Sequence, residues 1–197
     1  VTSHAWLSRY DRLERPDRMI FDLDPSDGRP ADVRTAAREL GALLRELGLE
    51  PFALATGSHG FHVVVPLHRR HDFDAVRGFA RDVARVAVAR RPERLTLAQR
   101  KAKRAGRILV DVMRNTYGHT AVAPYAVRAR PGAPVATPLA WDELGESRTL
   151  PDRWTLHMVP RRLEANGDPW REIARHARSL GAARRRLDEA LRDAGVR

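Results

Sequence analysis

Asp22 and Asp24 are the residues whose types and spacing most directly suggest chemistry. They lie on either side of Leu23, at the end of an apolar stretch that begins at Met19 and stops before Pro25. Because side chains alternate along a β-strand, residues two apart project from the same face. Two carboxylates on one face repel each other unless a cation lies between them, and Mg²⁺ and Mn²⁺ prefer such oxygen ligands. The pair therefore predicts a divalent-metal site for phosphate chemistry. The alternative is a solvated strand end, at which Asp before Pro begins a turn.

A third carboxylate, Asp111, lies inside the apolar stretch 108–113. Buried aspartate is uncommon unless it is ion-paired, hydrogen-bonded or metal-bound. The segment before this stretch is strongly basic, and its cationic side chains include Lys101, Lys103, Arg104 and Arg107. Such a segment can bind phosphate groups and hold them close to a metal ion.

A glycine-rich turn, Gly-Ser-His-Gly at 57–60, separates two apolar stretches, 52–56 and 61–66. This arrangement predicts a β-hairpin. The glycines allow the backbone to approach a ligand closely, and backbone N–H groups with hydroxyls form an anion nest. His62 lies one step into the second strand, where its ring can face the occupant of that nest. The alternative is an ordinary tight turn beside a half-exposed histidine.

The elements that position these residues follow from hydrophobic spacing. Apolar residues at helical intervals predict helices over about 30–47 and 73–90. With strands at 19–24, 52–56, 61–66 and 108–113, the order is βαββαβ, typical of the RNA-recognition-motif type of α+β fold. The first and fourth of these strands lie side by side in such a sheet, which places Asp111 beside Asp22 and Asp24. Three carboxylates there can hold two divalent ions for in-line phosphoryl transfer.

The rest of the chain is less informative. We expect additional short strands, one of them at 153–159, and one or two arginine-rich helices over 170–197. We assign residues 1–168 to the catalytic core and residues 169–197 to a solvated helical appendage.

Composition narrows the function classes. The 197 residues carry 36 Lys and Arg against 25 Asp and Glu, a net charge of +11 that favours a polyanion such as nucleic acid. A high-GC coding bias toward Arg is the alternative. Cysteine is absent, which excludes disulfides and thiolate metal sites. No apolar run approaches a membrane span, and we expect a cytoplasmic protein.

Several sequence blocks occur together and in a specific order. They are His4-Ala5-Trp6, Arg15-Pro16-Asp17-Arg18, Phe21-Asp22-Leu23-Asp24-Pro25, the run 57–67, Lys101-Ala102-Lys103-Arg104, Val110-Asp111, Arg114-Asn115, the run 120–125 and the run 138–144. With these blocks the chain resembles, from about His4 to Trp170, the primase-polymerase domain of bacterial DNA ligase D. That domain is a member of the archaeo-eukaryotic primase superfamily.

The resemblance implies roles for individual residues. Asp22, Asp24 and Asp111 would be the catalytic acids that bind two Mn²⁺ or Mg²⁺ ions. The nucleotide-binding residues would be His4, Thr56, Ser58, His59, His62, Arg104, Arg114 and Arg128. The DNA-binding residues would be Lys101, Lys103 and Arg107. The family usually has Lys at the position of His59. His59 could replace the positive charge of that lysine only when it is protonated, or replace its contacts by hydrogen bonding.

The resemblance also implies an activity and partners. The family extends DNA ends and fills gaps with NTPs or dNTPs during non-homologous end joining, together with Ku and a ligase. It usually carries a segment before the His-x-Trp block that helps to recognise the 5′-phosphate of a DNA end. This sequence begins almost at that block, so we expect end recognition to be altered.

Two other interpretations remain open. A non-catalytic basic module could hold DNA ends or single strands without chemistry. The stretch 20–24 also resembles the nucleophile motif of haloacid-dehalogenase-type phosphohydrolases, with Thr56 imitating their second motif. Against that family, the glycine-rich turn leads into a strand and Asp111 has no acidic neighbour in sequence.

Overall fold

The computed structural model describes residues 2–26 and 30–196. The strands are β1 His4–Trp6, β2 Ser8–Arg9, β3 Arg12–Pro16, β4 Arg18–Asp24, β5 Phe52–Ala55, β6 Phe61–Pro66, β7 Leu95–Thr96, β8 Ile108–Asp111, β9 Thr120–Val122 and β10 Thr137–Leu139. The α-helices are α1 Pro30–Glu46, α2 Phe73–Arg90, α3 Met158–Asn166 and α4 Leu180–Asp193.

The main sheet has six strands in the order β10-β5-β6-β4-β8-β7. Strand β4 is central and runs antiparallel to both β6 and β8, while β7 joins β8 in the parallel direction. Its four inner strands, β5-β6-β4-β8, with α1 and α2 as the crossovers, reproduce the expected βαββαβ arrangement. The predicted adjacency of the first and fourth strands is confirmed.

The two faces of the sheet differ in what covers them. Met19, Phe21 and Leu23 of β4 point into the main hydrophobic core, which the apolar faces of α1 and α2 complete. Ile20, on the opposite face, belongs to a smaller cluster with Leu7 and Trp170. That smaller cluster covers only part of its face, so the end of β4 that carries the aspartates is left accessible.

Two strand predictions need correction. The predicted strand at 153–159 is wrong, because residues 158–166 form α3, in which Val159 and Arg162 are the buried positions. Pro160 lies in the first turn of this helix, where the missing N–H costs little. The strand predicted over 108–113 ends at Asp111, since a 3₁₀ turn takes over at Met113–Asn115.

The C-terminal helix was expected to be solvated, and on one face it is not. Leu180, Ala183 and Leu187 of α4 are buried in the main core, and Arg184 pairs with Asp82 of α2 at 2.7 Å. The division into a core over 1–168 and an appendage over 169–197 remains a prediction about domain organisation. Across residues 2–26 and 30–196, no helix is long and apolar enough to cross a membrane.

Candidate active site

A polar row crosses three neighbouring strands at the accessible end of β4. Asp22 lies directly opposite Asp111 of β8 and directly opposite His62 of β6. Directly opposed residues have Cβ atoms about 5 Å apart and project from one face. Asp24, two residues further along β4, projects from that same face. The sheet register therefore places the three carboxylates predicted from the sequence on one face of the sheet, near one end of β4.

Asp22 lies between a histidine and an arginine. Its Oδ2 lies 3.5 Å from Nε2 of His62 and accepts hydrogen bonds of 3.3 Å from Nε and Nη2 of Arg114. Burial by itself raises the pKa of this carboxyl group. The charges and hydrogen bonds of His62 and Arg114 outweigh that effect and hold the pKa of Asp22 below its usual value. Asp22 is therefore an anion at neutral pH.

Asp24 has a partner of its own. Oδ2 of Asp24 accepts a 2.8 Å hydrogen bond from Nη1 of Arg104, whose side chain is almost fully buried. The same guanidinium group donates to the carbonyl oxygens of Ala98 and Gln99. Arg104 thus acts here as a fixed counter-charge to Asp24, a contact that the sequence did not predict.

Asp111 is held by the turn that follows β8. Its Oδ1 accepts from the backbone N–H of Met113 at 2.8 Å and from Nε2 of Gln99 at 3.5 Å. In this conformation Asp111, Asp22 and Asp24 each have different partners, although they share one face of the sheet.

Asn115 connects this turn to β4. Its side chain is fully buried, accepts from the N–H of Ile20 at 2.8 Å and donates to the carbonyl oxygen of Ile20 at 2.7 Å. The amide therefore continues the hydrogen-bond ladder of β4 after β8 has ended. It fixes the turn, and with it the neighbouring Arg114, beside Asp22. In the sequence Asn115 stood out only as part of the Arg114-Asn115 block, which did not predict this role.

The glycine-rich turn is closely packed. A side chain at Gly60 would meet the carbonyl oxygen of Leu23 at 2.1 Å, so only glycine fits. Gly57 has φ +66°, in the left-handed region that favours glycine. Thr56 is buried, and its hydroxyl donates to the carbonyl oxygen of Gly60 at 2.8 Å. In this structure Thr56 closes the turn.

Arginines border the other side of the cleft. Arg130 donates to the hydroxyl of Ser58, and its Nη2 lies 2.9 Å from Nε2 of His59. Arg128 is partly buried, and burial together with the charges of Arg130 and Arg114 lowers its pKa, although Asp22 opposes this. Arg130 was not among the residues predicted from the sequence, because only the tertiary structure brings it to the glycine-rich turn.

The aspartates and the glycine-rich turn border a cleft of ≈ 290 Å³. The predicted site residues in its lining are His4, Asp22, Asp24, Thr56, Ser58, His59, His62, Asp111, Arg114 and Arg128. Arg104 reaches the site through Asp24. Lys101 and Lys103 are exposed on the 3₁₀ turn that precedes Arg104. Nε of Arg107 donates to the carbonyl oxygen of Arg104 at 2.9 Å. The structure thus does not place these last three in the cleft lining.

The donor atoms suit Mg²⁺ or Mn²⁺, since three carboxylates on one face supply hard oxygen ligands. Among the described residues, however, no three acidic or histidine side chains converge into a metal cluster. Arg114 and Arg104 instead neutralise Asp22 and Asp24. Metal binding would therefore require Asp22 and Asp24 to exchange guanidinium partners for a metal ion. The half-exposed side chain of Arg114 allows this exchange at Asp22.

The family model for the LigD primase-polymerase domain matches residues 1–170. This chain belongs to that family. It is 40% identical over 189 residues to the "Multifunctional non-homologous end joining protein LigD" of Pseudomonas aeruginosa, covering 94% of this chain and 22% of that protein. It is 27% identical over 167 residues to the "Bifunctional non-homologous end joining protein LigD" of Bacillus subtilis, covering 84% of this chain and 27% of the relative.

A solved LigD structure has the same fold. The "Polymerase Domain from Mycobacterium tuberculosis Ligase D in complex with DNA" superimposes with a TM-score of 0.76 at 30% identity, over 83% of this chain and 56% of that one. The chain thus spans only part of the LigD proteins it matches. These matches, and a glycine-rich turn that runs from β5 into β6, favour the LigD interpretation over the haloacid-dehalogenase-type phosphohydrolase.

Proposed function

We propose that this chain catalyses template-dependent nucleotidyl transfer, extending DNA ends and filling gaps during non-homologous end joining. The observation that carries this proposal is the row of His62, Asp22 and Asp111 across three strands, which opens into a cleft bordered by arginines. Family membership supports the reaction class. The mycobacterial polymerase domain was solved in complex with DNA, which supports a DNA substrate for this chain as well.

Asp22, Asp24 and Asp111 would hold two Mg²⁺ or Mn²⁺ ions. Such ions lower the pKa of an attacking hydroxyl and neutralise charge on phosphates. Asp22 is suited to lie between the other two carboxylates, because Asp111 is directly opposite and Asp24 lies on the same strand face. Without metal, Arg114 pairs with Asp22 and Arg104 pairs with Asp24, and these contacts hold the two carboxylates in place.

The cations would bind the triphosphate of an NTP or dNTP. Arg114 and Arg128 line the cleft, and Arg130 is anchored to Ser58 and His59 at its edge. Guanidinium groups bind phosphate oxygens in a bidentate manner. Through these contacts His59 would orient Arg130, which would supply the positive charge that the family usually places on Lys in the turn. His4, held by the pairing of β1 with β9, would lie beside the nucleotide.

The direct test is primer extension on a gapped, 5′-phosphorylated template with Mn²⁺ and either rNTPs or dNTPs. We expect extension by the native chain and a loss of about 10³-fold or more in Asp111→Asn and Asp22→Asn, because metal stabilisation of the transition state contributes several kcal/mol. The matched control is Asp74→Asn, an exposed carboxylate on α2, which should retain full activity. Mn²⁺ binding measured by calorimetry should be lost in the same two variants and retained in the control.

A non-catalytic DNA-binding module is the second candidate, favoured by the net charge of +11. The Asp22→Asn variant distinguishes the two proposals. If the chain is an enzyme, this variant loses turnover and keeps DNA affinity. If the chain only binds DNA, the native protein shows no extension and removing one negative charge leaves binding unchanged or tighter.

Ku and a separate ligase are proposed as partners, and their binding can be measured by pull-down with purified proteins.

A further inference from the structure

A second cavity lies outside the cleft. It has a volume of ≈ 340 Å³ and is bounded by the 3₁₀ turn at 143–145, the segment 148–154 and the end of α3. Its lining includes Arg148, Arg153, Trp154 and Arg162. None of these residues belongs to the candidate active site.

Three buried N–H donors of these side chains have no hydrogen-bond partner. They are Nε of Arg153, Nε1 of Trp154 and Nη1 of Arg162. Arg162 itself is only 7% exposed. Folded proteins leave few buried polar atoms unpaired, because each one loses its hydrogen bonds to water. Guanidinium and indole N–H groups can only donate, so what all three need is an acceptor.

The acidic residues of the cavity are already engaged. Oε1 of Glu143 accepts from Nε of Arg162 at 3.1 Å, and Oε2 accepts from Nη2 of the same residue and from the backbone of Ala140. Glu146 pairs with Arg148, and Asp142 accepts from the backbone N–H of Glu143. Within the described part of the chain, this leaves Arg153 without an ion-pair partner.

The unpaired donors belong to adjacent groups. The guanidinium carbons of Arg153 and Arg162 each lie 5.0 Å from the centre of the Trp154 ring. Donors on three different side chains are best satisfied by an acceptor group that carries several oxygens. A tetrahedral phosphate offers oxygens in several directions, and arginine is well suited to bind them.

We propose that this cavity is a phosphate-binding site, separate from the active site, in which Arg153, Trp154 and Arg162 donate to the phosphate oxygens. The segment that carries Arg153 also supports the glycine-rich turn, because the carbonyl oxygen of Pro151 accepts from the N–H of Gly57 at 2.9 Å. A phosphate bound here would hold this segment against the turn. The phosphate can come from a free nucleotide or from a nucleic acid.

The test follows the indole N–H signals of the tryptophans in ¹H–¹⁵N NMR spectra of the full chain. Inorganic phosphate, AMP, and a short oligonucleotide with a 5′-phosphate or a 5′-hydroxyl are titrated separately at constant ionic strength. The Trp154 signal is assigned from its absence in Trp154→Phe. We expect a saturable shift of this signal with at least one phosphate-bearing probe, and affinity reduced about tenfold or more in Arg153→Gln and in Trp154→Phe. Binding to AMP but not to the oligonucleotides assigns a free nucleotide, and the reverse assigns a nucleic acid.

The matched control is Trp170→Phe. It removes another buried indole N–H without a partner, but one that does not line this cavity, and it should leave phosphate affinity unchanged. Trp154→Phe keeps an aromatic ring and Arg153→Gln keeps a polar side chain, so both variants should fold, which circular dichroism checks. A Trp154 signal that does not shift with any probe would overturn the proposal. So would a shift of equal affinity in Arg153→Gln.

Discussion

The two faces of strand β4 carry opposite chemistry, although their residues alternate along a single seven-residue strand. One face presents Met19, Phe21 and Leu23, all fully buried under the helices. The other presents Asp22 and Asp24 to a cleft, with cations around them. Apolar burial on the first face stabilises the strand and allows the second face to hold mutually repelling carboxylates. The comparison predicts that substitutions on the buried face mainly lower stability, whereas substitutions on the cleft face mainly lower activity.

The largest stability effect should come from the buried face. Phe21→Ala removes a fully buried ring and should lower the free energy of unfolding by about 3–5 kcal/mol. Asp22→Asn, one position along the strand, should change it by about 1 kcal/mol or less, because its partner Arg114 is half-exposed. Urea denaturation of both variants measures the difference. Equal losses of stability would show that the two faces are not energetically distinct.

A somewhat smaller effect on stability is expected at Asn115, a residue that we expect to contribute both to stability and to activity. Asn115→Ala leaves the N–H and carbonyl groups of Ile20 without their side-chain partners, and this should cost about 2–4 kcal/mol. Because the turn also positions Arg114, primer extension should fall under conditions in which the variant is still folded. Asn166→Ala, at the exposed end of α3, is the control. If Asn115→Ala lowers stability but leaves turnover per folded molecule unchanged, Asn115 does not position the site.

The smallest effect concerns pH. The pKa of Asp22 is lower in the folded protein than its usual value, so its ionised form stabilises the fold at pH values above about 3.9, the unfolded value. That contribution is lost as pH falls through the lower, folded pKa. The free energy of unfolding without metal, measured from pH 6 down to pH 3, should therefore fall more steeply for the native protein than for Asp22→Asn. Parallel curves would mean that His62 and Arg114 do not stabilise the Asp22 anion.

Much of the fold was predictable because it depends on local patterns. Helical spacing of apolar residues located α1 and α2, and the glycine-rich turn between two apolar stretches located the hairpin of β5 and β6. The pattern failed at 153–159, where alternating apolar residues suggested a strand but longer-range packing buries Val159 and Arg162 of a helix. It also failed to show that α4 contributes to the main core, since an arginine-rich helix with few apolar residues resembles a solvated one.

The sequence by itself determined that Asp22 and Asp24 share a face, because side-chain alternation along a strand is a local property of the backbone. It also determined, through the resemblance to LigD, which side chains to expect around them. Only the tertiary structure decided the partners of these charges: Arg104 on Asp24, Arg114 and His62 on Asp22, and Arg130 on the glycine-rich turn. These contacts join residues far apart in sequence, and they depend on which strands are neighbours and in what register. No local pattern of residue types specifies that register, because it is set by the packing of the whole sheet against its helices.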